Sequence, residues 1–126
     1  MITVISGGVG AARLLRGAAS VVDHDELVAI VNTGDDTVMH GLAISPDLDT
    51  VTYTVSNAID PERGWGLADE SWTTMEALHR FDAVRPVGSF AGEYWFGLGN
   101  RDLATHFYRT TRLAEGATLA EVTAEV

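Results

Sequence analysis

Apolar and polar segments alternate along the chain in an order that predicts an α/β fold. A short run of β-branched residues at 2–5 leads into a glycine-rich turn, and a helix is predicted from about residue 11 to residue 19. A polar link then precedes a second apolar strand at 27–32. Strand, helix and strand in this order form a βαβ unit, in which the two strands lie parallel.

The next segment carries two competing patterns. Residues 33–49 are rich in glycine and aspartate and are predicted as a loop beyond the carboxyl end of the second strand, where doubly wound folds bind their ligands. Residues 50–55 alternate like a strand. However, Val51 and Val55 share one helical face and Asp49 is a good N-cap, so the pattern favours a helix.

Weaker signals predict the remaining elements. A capping box predicts a helix over 73–81, a short strand follows at 94–98, and Gly99-Asn100 begins a helix over 101–113. Thr118 and Glu121 form a second capping box, but the sequence stops two turns later. About three strands are too few to bury both faces of an open parallel sheet. We therefore expect residues 1–126 to be the N-terminal part of a single domain in a longer protein.

The turn after the first strand has the geometry of a phosphate site. Its glycines, Gly7, Gly8 and Gly10, permit positive φ and close approach, and the amides of the following helix face an anion. A P-loop would require Lys-Ser or Lys-Thr after the last glycine, and a dinucleotide fingerprint would require glycine where Arg13 stands. Asn32 also replaces the acidic residue of NAD sites. A nucleotide site of another kind is preferred; the alternative is a structural turn with solvated arginines.

Composition excludes several partner classes. The 126 residues carry a net charge of −10, which opposes binding to nucleic acid or to an anionic membrane. No cysteine is present, so thiolate chemistry and disulfides are absent. The apolar N-terminus has no basic flank and no cleavage site, which predicts a cytoplasmic protein.

Candidate chemistry is carried by aspartates near the predicted ligand edge, namely Asp35, Asp36, Asp47, Asp49 and Asp60. Magnesium prefers one or two carboxylates together with phosphate oxygens, so such a loop beside a phosphate cradle is a candidate metal site. The alternative is that these aspartates form turns and helix caps. His40 and His106 also lie near the ligand-side loops.

Six sequence blocks resemble the 2-phospho-L-lactate transferases, called CofD or FbiA, in order and spacing over essentially the whole chain. The blocks are SGGVG from Ser6, NTGDD from Asn32 with HGL from His40, SPDLDTV from Ser45, DPERGWGL from Asp60 and RDLATH from Arg101. The SPDLDTV and RGWG blocks are the specific ones.

This resemblance implies a three-layer Rossmann-like (CofD-like) α/β fold with a mainly parallel sheet, here truncated, and a role in coenzyme F-420 biosynthesis. Family members transfer 2-phospholactate, or an enolpyruvyl equivalent, from a guanosine-diphosphate donor to the terminal hydroxyl of the deazaflavin Fo, and GMP leaves. The reaction depends on Mg2+, and the enzymes often form homodimers. Members are about twice this length or more.

Carried over by motif, the resemblance also implies site residues. Gly7, Gly8, Val9, Gly10 and Asn32 would border the nucleotide diphosphate. Asp49 corresponds to the aspartate that binds Fo, and we expect Asp49 and Asp60 together to hold magnesium and to position the attacking hydroxyl. Gly97 and Asn100 depart from the family pattern near the expected Fo pocket.

Two other functions remain open at this point. Gluconeogenesis factors resemble the chain at the glycine loop and are non-catalytic regulators that bind UDP-sugars; they lack the SPDLDTV and RGWG blocks. The chain could alternatively be a remnant without activity.

Overall fold

The βαβ unit is present and its strands are parallel. The computed structural model describes residues 1–92 and 96–126. Strand β1 (Ile2–Ser6) pairs in parallel with β2 (Leu27–Val31), and helix α1 (Val9–Ala19) connects them. The α/β class predicted from the sequence is therefore confirmed, with α1 starting two residues earlier than predicted.

One face of the β1–β2 sheet is packed and the other is bare. Ala12 and Leu15 of α1 pack with Val51 against Val4 and Val31 on the inner face. The opposite face carries apolar side chains that remain in water, with exposures of 87% for Ile5, 56% for Ile30 and 39% for Val28. The small sheet thus buries only one of its two faces among the described residues.

The segment predicted as a loop at 33–49 is largely regular structure, so that prediction is wrong. Strands β3 (Thr37–Met39) and β4 (Leu42–Ile44) form an antiparallel hairpin. His40 and Gly41 both have positive φ, at 54° and 77°, as a type I′ hairpin turn requires. Three-residue strands leave too few alternations for a sequence pattern to reveal.

Helix α2 (Pro46–Val55) confirms the helical interpretation of residues 50–55 but begins earlier than expected. Ser45 occupies the N-cap position and Pro46 the first helical position, where the missing N–H of proline costs nothing. Asp49 is therefore not the N-cap, and its backbone N–H donates to the carbonyl of Ser45. The carboxylate of Asp49 is consequently available for another role.

Helices α3 (Thr73–His79) and α4 (Asn100–Ala114) are capped at their N-termini by side chains distant in sequence and not by their own N-cap residues. The predicted capping box at Thr73 does not form, because the Asn100 side chain accepts from the N–H of Thr74 at 3.1 Å. The Glu70 carboxylate accepts from the first free amides of α4, at 2.7 Å from Arg101 N. Side chains distant in sequence therefore fix both helix starts.

The C-terminal helix α5 (Leu119–Glu125) begins at the predicted capping box, which is confirmed: Thr118 and Glu121 satisfy each other's amides. The predicted strand at 94–98 falls partly outside the described residues, and its described part, 96–98, is not a strand. A second hydrophobic core lies between the hairpin and α4, where Met39, Leu42, Ile44, Leu98 and Leu103 pack together. Within residues 1–92 and 96–126, no helix is both long and apolar enough to cross a membrane.

The bare sheet face generates a prediction about the 126-residue chain on its own. We expect a broad thermal transition whose midpoint depends on protein concentration, because an exposed apolar face promotes self-association. Replacing Ile5 and Ile30 with threonine should reduce this association at little cost, since both side chains are already in water. Calorimetry and sedimentation at several concentrations would check it. A sharp, concentration-independent two-state transition in the wild-type chain would contradict the prediction.

Candidate active site

The glycine turn lies against a carboxylate. An ideal Cβ on Gly8 would be only 2.6 Å from Asp47 Oδ1, so a side chain at this position would displace Asp47. Gly8 itself has φ −82°, and neither Gly7 nor Gly10 has positive φ. The expectation that this turn uses positive φ is therefore wrong: close approach is what Gly8 provides.

The polar side chain that follows β2, Asn32, holds Asp47 in place. The Asn32 amide donates to Asp47 Oδ2 at 3.0 Å, and Asn32 Oδ1 accepts from the N–H of Gly34. Burial and then the neighbouring Asp47 raise the pKa of Asp35. Carboxylate oxygens thus gather at the mouth of the glycine turn, beside the unpaired amides of α1.

The arginines of α1, Arg13 and Arg16, line a separate cavity. They line a space of about 200 Å³ with Asp60 and Gly64, on the side of α1 that meets the 60–67 segment. An ideal Cβ on Gly64 would be 3.4 Å from the Arg13 guanidinium.

A larger cavity of about 260 Å³ opens on the other side of α2. Its walls combine apolar and aromatic groups with four ionisable side chains; the lining residues are Ile44, Pro46, Asp49, Thr50, Tyr53, Trp65, Gly66, Phe96, Gly97, Asp102 and His106. An apolar cavity with a few convergent polar groups is the usual form of a small-molecule site.

A buried ion pair forms the charged end of this cavity. Both terminal nitrogens of Arg109 donate to the two carboxylate oxygens of Asp49, and Arg109 Nη1 also lies 3.3 Å from the Ala43 carbonyl. Both side chains are almost fully buried. Burial raises the pKa of Asp49, and the hydrogen bonds and charge of Arg109 only partly oppose that effect.

A second carboxylate stands beside the first. Asp102 accepts from the Tyr53 hydroxyl at 2.6 Å and lies 3.0 Å from His106 Nε2. Burial acts to raise the pKa of Asp102, but the hydrogen bonds of His106 and Tyr53, together with the charges of His106 and Arg109, outweigh it, so the pKa is lowered. Burial and the nearby charges of Asp49 and Asp102 raise the pKa of Tyr53, which keeps its phenol protonated.

These side chains include a set that could hold a metal ion. One ligand atom each from Asp49, Asp102 and His106 lies within 4.8 Å of the others. Arg109 donates to both oxygens of Asp49 in this arrangement, so a metal ion there would lie close to the guanidinium, whose positive charge would oppose its binding.

Asp60 belongs to neither the glycine turn nor this set. Its Oδ1 accepts from the backbone N–H groups of Glu62 and Arg63, and its Oδ2 pairs with the Arg63 guanidinium at 3.0 Å. The N–H of Arg63, followed by that of Glu62, lowers the pKa of Asp60. The assignment of Asp49 and Asp60 as a joint magnesium site stays a prediction.

Sequence reasoning brought Asp49 and His106 to the site but missed Arg109, Asp102 and Tyr53 as participants. A signal for two of them was present, because Asp102, His106 and Arg109 recur at spacings of four and three on one face of α4. Polar residues on the buried stripe of an amphipathic helix are the pattern that would have identified this cluster.

The ion pair generates a stability prediction. Arg109→Met should lower the thermal midpoint by about 10 °C or more, because Asp49 would keep a buried charge without its partner. Arg112→Met is the matched control on the same helix: its guanidinium is more exposed and pairs with Glu115 and Glu125, so the midpoint should change little. Equal decreases in the thermal midpoint of the two variants would contradict the prediction, because the buried pair would then matter no more for stability than the exposed one.

Similar proteins cover nearly all of this chain. A phosphoenolpyruvate transferase of Nocardia farcinica is 50% identical over 122 residues, which are 97% of this chain and 34% of the relative. Phosphoenolpyruvate transferases of Mycobacterium marinum and Mycobacterium tuberculosis are 46% and 45% identical, again over 97% of this chain and 38% of their own length. The chain thus spans little more than a third of these relatives. The family profile described as 2-phospho-L-lactate transferase CofD matches residues 2–126, and the chain belongs to this family.

Proposed function

We propose that the chain supplies the donor and acceptor sites of a transferase in coenzyme F-420 biosynthesis. The observation that carries the proposal is the first turn of α2, which contacts both sites. Asp47 lies against the glycine turn, and Asp49, two residues later, lies in the wall of the 260 Å³ cavity. A donor phosphate at the turn and an acceptor in the cavity would meet across this helix end.

The donor site is proposed at the start of α1. The amides of its first turn have no helical partner and present a partial positive charge to a diphosphate. Gly7, Gly8, Val9, Gly10 and Asn32 would border that group. The relatives named phosphoenolpyruvate transferase favour an enolpyruvyl-type guanosine-diphosphate donor over the phospholactyl one.

Mg2+ is proposed as the cofactor, and the donor set at the glycine turn fits it. Asp47 places a carboxylate beside the proposed diphosphate, where two anions would repel each other without a bridging cation. The hard oxygen ligands Asp47 and Asp35 suit magnesium, whereas the oxygens of Asp60 are already taken by Arg63 and backbone amides. When bound, magnesium would neutralise charge on the transferred phosphoryl group.

The acceptor is proposed to be the deazaflavin Fo. Its terminal hydroxyl would donate to Asp49, which orients it toward phosphorus. As the new O–P bond forms, the proton would pass to Asp49, the P–O bond to GMP would break, and GMP would leave with the electron pair of that bond. Asp102, held by Tyr53 and His106, adds a second hydrogen-bond acceptor at the same wall. A cytoplasmic location and a homodimer belong to this proposal as well.

Gly8→Val tests the donor site. The added side chain would collide with Asp47 Oδ1 and fill the space needed by a phosphate, so GDP affinity should fall strongly while Fo binding stays close to wild type. Gly17→Ala is the control, since nothing lies within 4 Å of a Cβ there. Titration calorimetry of the complete gene product, whether or not it is longer than 126 residues, gives both affinities. Unchanged GDP affinity in a folded Gly8→Val protein would make the turn structural.

Asp49→Asn tests the acceptor site. Loss of the carboxylate should reduce the transfer rate about a hundredfold or more, by analogy with the removal of one transition-state stabiliser. The thermal stability of Asp49→Asn should also fall, because the neutral Asn side chain would leave the buried charge of Arg109 without its counter-ion.

The double variant Asp49→Asn/Arg109→Met separates these effects: it should recover stability but not activity. Wild-type rates in Asp49→Asn at saturating magnesium would refute the assignment. A gene product that binds a UDP-sugar and turns over no donor would support the regulator alternative instead.

A further inference from the structure

The segment between Asp60 and Leu67 is built to hold one side chain, Trp65, in a fixed place. Both neighbours of Trp65 are glycines with positive φ, 74° for Gly64 and 67° for Gly66. Residues other than glycine rarely adopt this backbone conformation, so both positions favour glycine. The N–H of Asp60 donates to the carbonyl of Gly66 at 3.0 Å, which closes the segment on itself.

A cation fixes the ring of Trp65. The Arg63 guanidinium lies 5.4 Å from the centroid of Trp65 and 5.4 Å from that of Trp72, and the two rings meet edge to face at 6.0 Å. Arg63 is itself held, by Asp60 Oδ2 at 3.0 Å and by the Leu67 carbonyl at 2.8 Å. The contact of Asp60 with Arg63 and that of Arg63 with Trp65 therefore restrain the indole ring.

Trp65 is nevertheless not a core residue. It remains 42% exposed while lining the 260 Å³ cavity that also holds Asp49 and Asp102. Arg63 covers one face of the ring. The part of the indole that stays exposed is surface that a ligand can contact. A restrained aromatic surface in the same cavity as two carboxylates matches a ligand that has a planar ring system and hydroxyl groups.

We propose that Trp65 stacks on the planar heteroaromatic ring of the acceptor, and that Arg63 and Asp60 are positioning residues that hold Trp65 for this contact. The inference rests on the proposed function, which places the acceptor in this cavity. It gives Asp60 a role through Arg63 and Trp65 in place of a role at magnesium.

Steady-state kinetics of the complete gene product with Fo test the stacking. Trp65→Leu should raise KM for Fo about tenfold or more, since loss of one aromatic stacking contact has about this effect. The value of kcat should stay within about threefold, and KM for the guanosine-diphosphate donor should not change. Trp65→Phe should restore most of the affinity for Fo. Phe107→Leu is the control, because Phe107 is also an exposed aromatic side chain, at 58%, but does not line the cavity.

A second set of variants tests the positioning roles. Arg63→Met and Asp60→Asn should each raise KM for Fo, and combining either with Trp65→Leu should add little further loss. Arg63→Lys, which keeps a cation, should recover part of the affinity. The magnesium concentration that gives half-maximal rate should be the same in Asp60→Asn as in wild type.

The outcomes separate the two proposals. Turnover with an unchanged KM for Fo in Trp65→Leu would overturn the stacking role and leave the proposed function standing. A shift in magnesium requirement in Asp60→Asn, but not in Arg63→Met, would overturn the positioning role of Asp60. A gene product that neither binds Fo nor turns over the donor would refute the proposed function, and the inference with it.

Discussion

The buried ion pair between Asp49 and Arg109 is the interaction on which the cavity depends. It joins residues that are 60 positions apart, and through the Ala43 carbonyl it ties α2 and α4 to the hairpin. The Nε of Arg109 has no hydrogen-bond partner, so the pair is only partly compensated for its loss of water. Because a buried pair of this kind adds little net stability, its position in the wall of the cavity points to a role in ligand binding.

The first turn of α2 explains how the two proposed sites could act together. Successive residues in an α-helix are rotated by about 100°, so Asp47 and Asp49 point to nearly opposite sides of α2. One carboxylate faces the glycine turn and the other faces the cavity. Pro46 and the hairpin before it fix where this turn begins. A small shift of α2 would therefore move both carboxylates together.

The sequence predicted the local features of this arrangement better than the distant ones. The βαβ unit, the helical character of 50–55 and the capping box at Thr118 follow from patterns within a few residues, and the structure confirms them. The hairpin inside 33–49 has strands of only three residues, which are too short to show an alternating pattern. The capping of α4 by Glu70 depends on a contact between residues about 30 positions apart, which no local pattern encodes. At the site, Asp49 could be identified by motif, whereas its partner Arg109 was marked only by the weaker pattern of polar residues on the buried face of α4.

Charge places a further constraint on any donor complex. The chain carries a net charge of −10, and Asp47 stands at the turn where a diphosphate would bind. The arginines of α1 line the neighbouring cavity with Asp60. The amides of α1 alone offer about half a positive charge, which is small against a diphosphate and a carboxylate. In the proposed reaction a divalent cation at Asp47 therefore has to supply most of the neutralisation, and Asp49 can remain paired with Arg109 while it orients the acceptor.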